Sequence, residues 1–423
     1  RMNIIRSLKG THDILPPESN KWQQLEKIVN NSCKIFGYEE IRTPIFEQTQ
    51  LFSRSVGAET DIVSKEMYSW NDRDGTSLTL RPELTASVAR AFIQNNLNSK
   101  SPINRLYYQG PLFRRERPQK GRQRQFHQFG VEALGSEHPE MDAEVLSLAW
   151  NIILSCNLSE SVILNLNSIG SNDCRSNYKQ ALKDFLKPYL GEFSEISQNR
   201  YKENTLRLLD TKSKKEQLIL NDAPKISEYY TYEDSYHFEK VKELMKVLDI
   251  PFKINPKLVR GLDYYSRTVF EFTSNKLGSQ DALIGGGRYD SLLSDLGGKP
   301  TPSIGFAAGL ERFLIAMQDN EIKPYIDVYI ACLFEGAISE SLFLSNKLRN
   351  LNLSVISDPL RRSLKAQMRE ANKINANYII IIGEEELSNE LFVVKNLQER
   401  NQKNFTKSEI IKFFKEKYKI IKE

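Results

Sequence analysis

The stretch Phe113–Glu132, F-R-R-E-R-P-Q-K-G-R-Q-R-Q-F-H-Q-F-G-V-E, constrains this chain more than any other. Between Arg114 and Arg124 it holds six basic residues, Arg114, Arg115, Arg117, Lys120, Arg122 and Arg124, against one acid, Glu116. Its flanks, Arg105-Leu-Tyr-Tyr-Gln and Phe126-His-Gln-Phe-Gly-Val, are apolar and β-prone. The pattern predicts strand, basic loop, strand, with Pro118 and Gly121 turning the loop. A run of Lys and Arg is ordinarily a solvated face. Here arginines dominate, and their planar forks suit bidentate phosphate recognition. Gln119, Gln123, Gln125, His127 and Gln128 are interleaved with them. The base of such a hairpin is expected to hold a nucleotide phosphate, and its tip to touch nucleic acid.

At 423 residues the chain is long enough for two or three domains. Its net charge of +5 is no larger than the surplus on the hairpin itself, so nucleic-acid contact should be local. Cys33, Cys156, Cys174 and Cys332 lie far apart and form no C-x-x-C pair, which points away from a zinc site or a disulfide framework. No signal peptide is visible, nor an apolar run of about 18 residues, so a cytoplasmic, non-membrane protein is expected.

From the N-terminus, Lys9-Gly-Thr-His-Asp-Ile-Leu-Pro-Pro reads as a turn, and a helix should follow from about Pro17 to Phe36. Its apolar stripe is Trp22, Leu25, Ile28, Val29, Cys33 and Phe36, and Gly37 stops it. Tyr38-Glu-Glu-Ile-Arg-Thr-Pro-Ile-Phe is an extended segment with Pro44 inside it. Ser77-Leu-Thr-Leu is a strand that runs into Arg81-Pro-Glu-Leu-Thr-Ala and a helix to about Leu97. Glu83 and Thr85 therefore lie where a strand hands over to a helix. That position suits an ammonium ligand and a helix cap equally well.

Five ordered motifs carry a family resemblance. Phe113-Arg114-x-Glu116 followed by Arg124-Gln-Phe-His-Gln-Phe-Gly-x-Glu132 resembles motif 2 of class II aminoacyl-tRNA synthetases, in the form used by the histidyl-tRNA synthetase family. The long helix leading to Pro44 resembles motif 1, the dimer-forming element, and Phe306-Ala-Ala-Gly-Leu-Glu-Arg312 resembles motif 3. Leu258-Val-Arg-Gly-Leu-Asp-Tyr-Tyr-Ser-Arg-Thr-Val-Phe-Glu271 and Ala282-Leu-Ile-Gly-Gly-Gly-Arg-Tyr-Asp290 are similar to signatures peculiar to the histidine enzymes. The likeness runs over essentially the whole chain.

The resemblance implies activation of L-histidine by ATP to histidyl-adenylate and pyrophosphate, then transfer to the 3′ end of tRNA(His). Such chemistry needs the carboxylate held in line with the α-phosphate and fixed cations for the charge that builds there. By resemblance, Arg114 and Arg260 act at the α-phosphate as the catalytic pair, Glu116 faces the adenine or ribose, and Arg312 holds the γ-phosphate with Mg²⁺ spanning phosphates. Selecting histidine is a hydrogen-bond problem, because the ring offers one donor and one acceptor. The resemblance gives the ring to Glu132, Tyr265 and Tyr289, the α-amino group to Glu83, and the carboxylate side to Gln128, with Thr85 and Tyr264 nearby. Arg117, Gln119 and Arg122 at the hairpin tip would approach the acceptor end of the tRNA. His127 alternates with Phe126 and Gln128 along a strand, which favours a structural role. Gly285-Gly-Gly is not a P-loop, since no G-K-[ST] follows, and these glycines are expected to let backbone approach the ligand.

The fold class expected is α+β: an antiparallel sheet flanked by helices over 1–325, a mostly helical insertion at about 171–252, and an α/β anticodon-binding domain over 326–423. The insertion, by resemblance, leans on the acceptor arm of tRNA. In the C-terminal part Arg361, Arg362 and Lys365 are phosphate-contact candidates. The resemblance also implies a homodimer through the motif 1 region. Two alternatives fit the same architecture: a catalytically inactive regulatory subunit of histidine biosynthesis, and a sensor of uncharged tRNA. The first is expected to lose the arginines and the C-terminal domain, yet Arg114, Arg260, Arg312 and residues 326–423 are present. The second is usually fused to an output domain, and none is expected here. One departure stands out: Leu84 occupies a position where many relatives have glycine, so its side chain must turn away from the amino acid or crowd it.

Overall fold

The computed structural model describes residues 4–55, 60, 62–119, 122–211, 213–259, 264–278, 281–317 and 325–419. Arg260, Lys120 and Gly121 lie outside the described residues, as does Asp263. Two units separate along the chain, Arg1–Asn320 and Glu321–Glu423.

The first unit is built on an eight-stranded sheet. Its strands run in the order Glu39–Glu40, Asn104–Phe113, Gln125–Leu134, Ser303–Gly309, Ala282–Arg288, Ser266–Ser274, Val162–Ser168 and Phe252–Ile254. The six inner strands are mutually antiparallel, and only the two edge strands pair in parallel. The basic hairpin forms as read, with Tyr108 opposite Gly130 and Leu106 opposite Glu132. Because side chains alternate across a strand, the hairpin has two faces of different character. One face packs under the helices Glu18–Ile35 and Pro139–Ser155, whose Trp22, Leu25, Val29, Leu146 and Ile152 are buried against Tyr107, Phe129 and Val131. The other face carries Tyr108, Gln128 and Glu132.

The first helix matches its apolar stripe, but the extended segment after it divides. Glu39–Glu40 joins the large sheet, whereas Phe46–Gln48 joins a separate three-stranded sheet with Ser77–Leu80 and Tyr68–Asn71. Pro44 and the buried Arg81 mark the break. The Arg81 guanidinium donates to the carbonyls of Thr43 at 2.8 Å and Pro111 at 2.9 Å, so one side chain ties the turn before Pro44 to the strand Asn104–Phe113. The helix expected to reach Leu97 ends sooner, at Gln94. Asn96 adopts a positive φ of 48°, and a short helix, Leu97–Lys100, follows. Asparagine tolerates that left-handed turn better than most residues.

The region after Ser171 is helical, with Asn172–Leu186, Glu195–Glu203, Lys214–Asn221 and Tyr232–Val247 joined by 3₁₀ turns. Ser171, Ser194, Ser213 and Thr231 each cap a helix by accepting from a backbone N–H three residues on.

The second unit has a five-stranded sheet in the order Val355–Ser357, Ile326–Cys332, Ala376–Ile382, Phe392–Asn396 and Asn401–Phe405. Val328, Ile330, Ile380, Val394, Ile410 and Phe414 form part of its core. The last strand is absent from the sequence reading, and its composition says why: Asn-Gln-Lys-Asn-Phe is exposed nearly throughout and shows no apolar alternation. The hydrogen bonds to Phe392–Asn396 define it. Of the phosphate-contact candidates there, Arg362 is already committed to the buried Asp358 at 2.7 Å, while Lys365 is exposed. The four cysteines are free and buried. Among the described residues no helix is long and apolar enough to cross a membrane.

Candidate active site

A cavity of about 580 Å³ opens on the Glu132 face of the hairpin, and its two ends differ in chemistry. At one end two carboxylates and several hydroxyls are buried together. Glu132 is 1% exposed and accepts hydrogen bonds from Thr85 Oγ1 at 2.7 Å, from the Tyr108 hydroxyl at 3.1 Å, and from the Tyr289 hydroxyl. Glu83 is also buried, and its carboxylate accepts from the Ala86 N–H at 2.9 Å. That bond caps the helix Thr85–Gln94, so Glu83 is a cap and a cavity residue at once. Burial pushes Glu83 up to about 7, against the backbone N–H groups of Ala86 and Thr85 and the charge of Arg114. Burial likewise pushes Glu132 up to about 8; its hydroxyl donors oppose this and the negative field of Glu83 adds to it. Tyr264, Tyr265 and Tyr289 close this end, with ring centroids 4.8 Å apart for the first pair and 5.6 Å for Tyr264 and Tyr289.

The other end is cationic. Arg114 donates from Nε to the Pro82 carbonyl at 2.9 Å and lies 5.1 Å over the Phe126 ring. Arg312 leaves the strand Ser303–Gly309 on the helix Leu310–Ala316 and donates to the Ala282 carbonyl at 2.7 Å. Burial lowers the pKa of both guanidiniums, yet an arginine stays charged under such a shift. Arg122 turns back into the cavity, where its Nη1 sits 3.0 Å from Glu116 Oε2. Two buried guanidiniums, one of them over an aromatic ring, fit a polyanion with a flat base.

Of the residues singled out from sequence, Glu83, Thr85, Arg114, Glu116, Arg122, Gln128, Glu132, Tyr264, Tyr265, Tyr289 and Arg312 all line this cavity. Arg117 and Gln119 do not; Gln119 pairs with Arg122 across the loop by two backbone bonds of 3.0 and 2.9 Å. His127 faces the opposite side of the strand. There its Nδ1 lies 3.0 Å from Glu311 Oε1 and its ring meets the edge of Trp22 at 4.9 Å. Leu84 has a φ of −111°, open to any residue, and it joins the apolar cluster that contains Val88 and Phe92 while also lining the cavity.

Sequence reasoning missed Tyr108, Gly305 and His12, which also line the cavity. For Tyr108 a signal was present. Counting by twos back from Arg114 gives Leu112, Gly110 and Tyr108 on one face. Gly305 has a steric reason to be glycine, because a Cβ there would stand 2.0 Å from Glu132 Oε2.

An antiparallel sheet with one arginine at the base of a hairpin and another on the helix leaving the neighbouring strand is the arrangement that the resemblance to motifs 2 and 3 of class II aminoacyl-tRNA synthetases implies. Comparison with known proteins narrows this. The family model Histidyl-tRNA synthetase matches residues 10–313, and Anticodon binding domain matches residues 327–417. A histidine–tRNA ligase of Bacillus velezensis is 46% identical over 415 residues, which is 96% of this chain and 97% of that protein. One from Gloeothece citriformis is 44% identical over 412 residues, 97% of this chain and 96% of the relative. The crystal structure of apo histidyl-tRNA synthetase from S. aureus superposes with a TM-score of 0.82 at 35% identity, covering 97% of this chain and all of that one. The chain belongs to the histidyl-tRNA synthetase family and is an aminoacyl-tRNA-forming ligase.

Proposed function

We propose that the cavity carries out histidine–tRNA ligation with its two ends in separate roles, the acidic end choosing the amino acid and the arginine end handling ATP. One observation carries this division: Glu132, ringed by hydroxyls, shares a single cavity with Arg114 and Arg312. In this reading Glu83 receives the α-ammonium group and Gln128 the carboxylate side. Glu132, Tyr265 and Tyr289 read the ring, with Thr85 and Tyr264 packed beside them. Arg114 reaches the carboxylate and the α-phosphate together, and Arg260 is assigned to the same phosphate by its motif. Glu116 faces the adenine or ribose, and Arg312 holds the γ-phosphate. Mg²⁺ travels with the triphosphate as part of the substrate. The arginines supply fixed positive charge where negative charge develops, which lowers the barrier without solvent reorganisation.

The finer assignments extend outward. Arg117, Gln119 and Arg122 contact the acceptor end of tRNA(His), the insertion at 171–252 supports its acceptor arm, and 326–423 binds the anticodon as a domain distinct from the catalytic 1–325. The chain works in the cytoplasm as a homodimer. Support for the dimer comes from the small three-stranded sheet and the bend that leads into it, where Phe46, Trp70 and Ile45 are 53%, 41% and 45% exposed, a patch suited to a second copy.

Amino-acid-dependent ATP–pyrophosphate exchange, without tRNA and with twenty amino acids offered singly, tests this reading. Exchange with histidine alone supports it. Exchange with no amino acid, from folded protein that binds ATP, contradicts it and favours the regulatory relative.

A further inference from the structure

We propose that Tyr108 is a positioning residue for histidine recognition: its hydroxyl orients Glu132 and favours its ionised form, the acceptor that takes the ring N–H. This rests on the reading of Glu132 as the residue that meets the imidazole.

The geometry around Tyr108 is built rather than incidental. The ring is 2% exposed, and its hydroxyl lies 3.1 Å from Glu132 Oε1, the oxygen that Thr85 also reaches at 2.7 Å. Tyr289 takes the other oxygen. An ionised carboxylate only accepts, so all three hydroxyls donate to it; a protonated one needs a partner for its own O–H. Backbone makes room for this arrangement. Gly130 is opposite Tyr108 in register, and a Cβ there would stand 2.4 Å from the Tyr108 hydroxyl and 2.4 Å from the Phe306 carbonyl. With Gly305 beneath Glu132, two glycines on adjacent strands admit one tyrosine–glutamate contact.

The groups facing Glu132 come from several elements. They are Thr85 and Glu83 at the helix start, Tyr108 from the neighbouring strand, and Tyr264 and Tyr289 from the far wall, with Arg114 acting on Glu83. No cation is among the groups that act most strongly on Glu132. Neutral donors therefore do what a salt bridge does elsewhere, and leave the carboxylate free to titrate near neutrality, where burial already lifts it to about 8. A donor that binds only the ionised form lowers the pKa, so deleting it raises the pKa further.

The test is Tyr108→Phe in full-length protein, with kcat/KM for histidine in ATP–pyrophosphate exchange measured from pH 6 to 9. Rates are normalised to the adenylate burst, so an inactive fraction does not alter the profile. Free histidine titrates alike in both reactions and cancels in the ratio. The expected result is an acid limb moved up by about one unit: about 10-fold loss at pH 7, shrinking to about 2-fold by pH 9, with the KM for ATP unchanged. An unchanged profile, or a loss of equal size at every pH, overturns the role of Tyr108. Glu132→Gln separates the two readings. If it loses exchange at all pH values while the Tyr108→Phe limb does not move, Tyr108 alone is misassigned. If Glu132→Gln exchanges like wild type, the reading of Glu132 itself falls, and the Tyr108 proposal with it.

Discussion

The two ends of the cavity solve opposite electrostatic problems. At the arginine end, charge is kept permanently: Arg114 and Arg312 lose affinity for protons through burial but stay cationic, which is what the proposed phosphate role requires. At the acidic end, charge is conditional. Glu83 and Glu132 are buried together, with hydroxyls in place of a countercharge at Glu132 and backbone N–H groups beside the Arg114 charge at Glu83, and both are lifted towards neutrality. A polyanion needs strong fixed cations, whereas an imidazole that must be told from other rings needs a directional acceptor. Strength serves one end and direction the other.

Substitutions that respect this division should produce different kinetic signatures. The largest effect is expected from Glu132→Gln. The amide puts an NH₂ donor where Thr85, Tyr108 and Tyr289 already donate and leaves one acceptor oxygen in place of two; a buried polar mismatch of this kind is worth about 10⁴-fold in discrimination, so kcat/KM for histidine should fall by about 10³–10⁴ in exchange assays. Next is Arg114→Ala, which removes fixed charge from the reacting phosphate and should cost about 10²–10³ in kcat. A smaller loss, about 10²-fold, is expected for Gly305→Ala, because a methyl there would stand 2.0 Å from Glu132 Oε2 and 2.3 Å from the Val131 carbonyl and so must displace the carboxylate and the strand that carries it. There the histidine KM should carry the change, and a variant with normal histidine KM would remove the steric argument. The hairpin tip comes last in activity: Arg117→Ala or Gln119→Ala should slow aminoacylation by about 10-fold while leaving exchange intact, the scale of one lost contact. Equal damage to both steps would take the tip out of tRNA recognition.

The conditional charge also predicts a stability signature. Glu83 and Glu132 hold their protons to about 7 and about 8 in the folded chain, well above an ordinary glutamate near 4.5. As pH rises from about 5 to 8 the unfolded chain releases these protons first, so this pair makes the folded state progressively less stable. The melting temperature of the ligand-free protein should fall over that window relative to Glu132→Gln, which can no longer titrate there. Parallel melting curves against pH for the two proteins would contradict the shift at Glu132.

Much of this was legible in sequence, and the reasons are specific. The hairpin showed itself because arginines are rarely massed between two apolar strands. Glu83 and Thr85 were placed by the strand-to-helix handover, though spacing could not tell a cap from a ligand; the structure shows that Glu83 caps the helix while lining the cavity. Tyr108 escaped because one tyrosine among 18 carries no label until strand parity ties it to Arg114. The split at Pro44 escaped because Arg81, far along the chain, ties the turn at Thr43 to Pro111 through backbone carbonyls that sequence does not display. The strand Asn401–Phe405 was hidden by its polar surface.

The division of labour is tested most directly by crossed kinetics in the exchange reaction, with histidine varied at saturating ATP and ATP varied at saturating histidine, for Glu132→Gln and Arg312→Ala. The expected pattern is reciprocal: Glu132→Gln raises the KM for histidine and leaves that for ATP within about 2-fold, and Arg312→Ala does the reverse. If both variants raise both constants to the same extent, the cavity acts as one undivided site and the separation of its two ends is wrong.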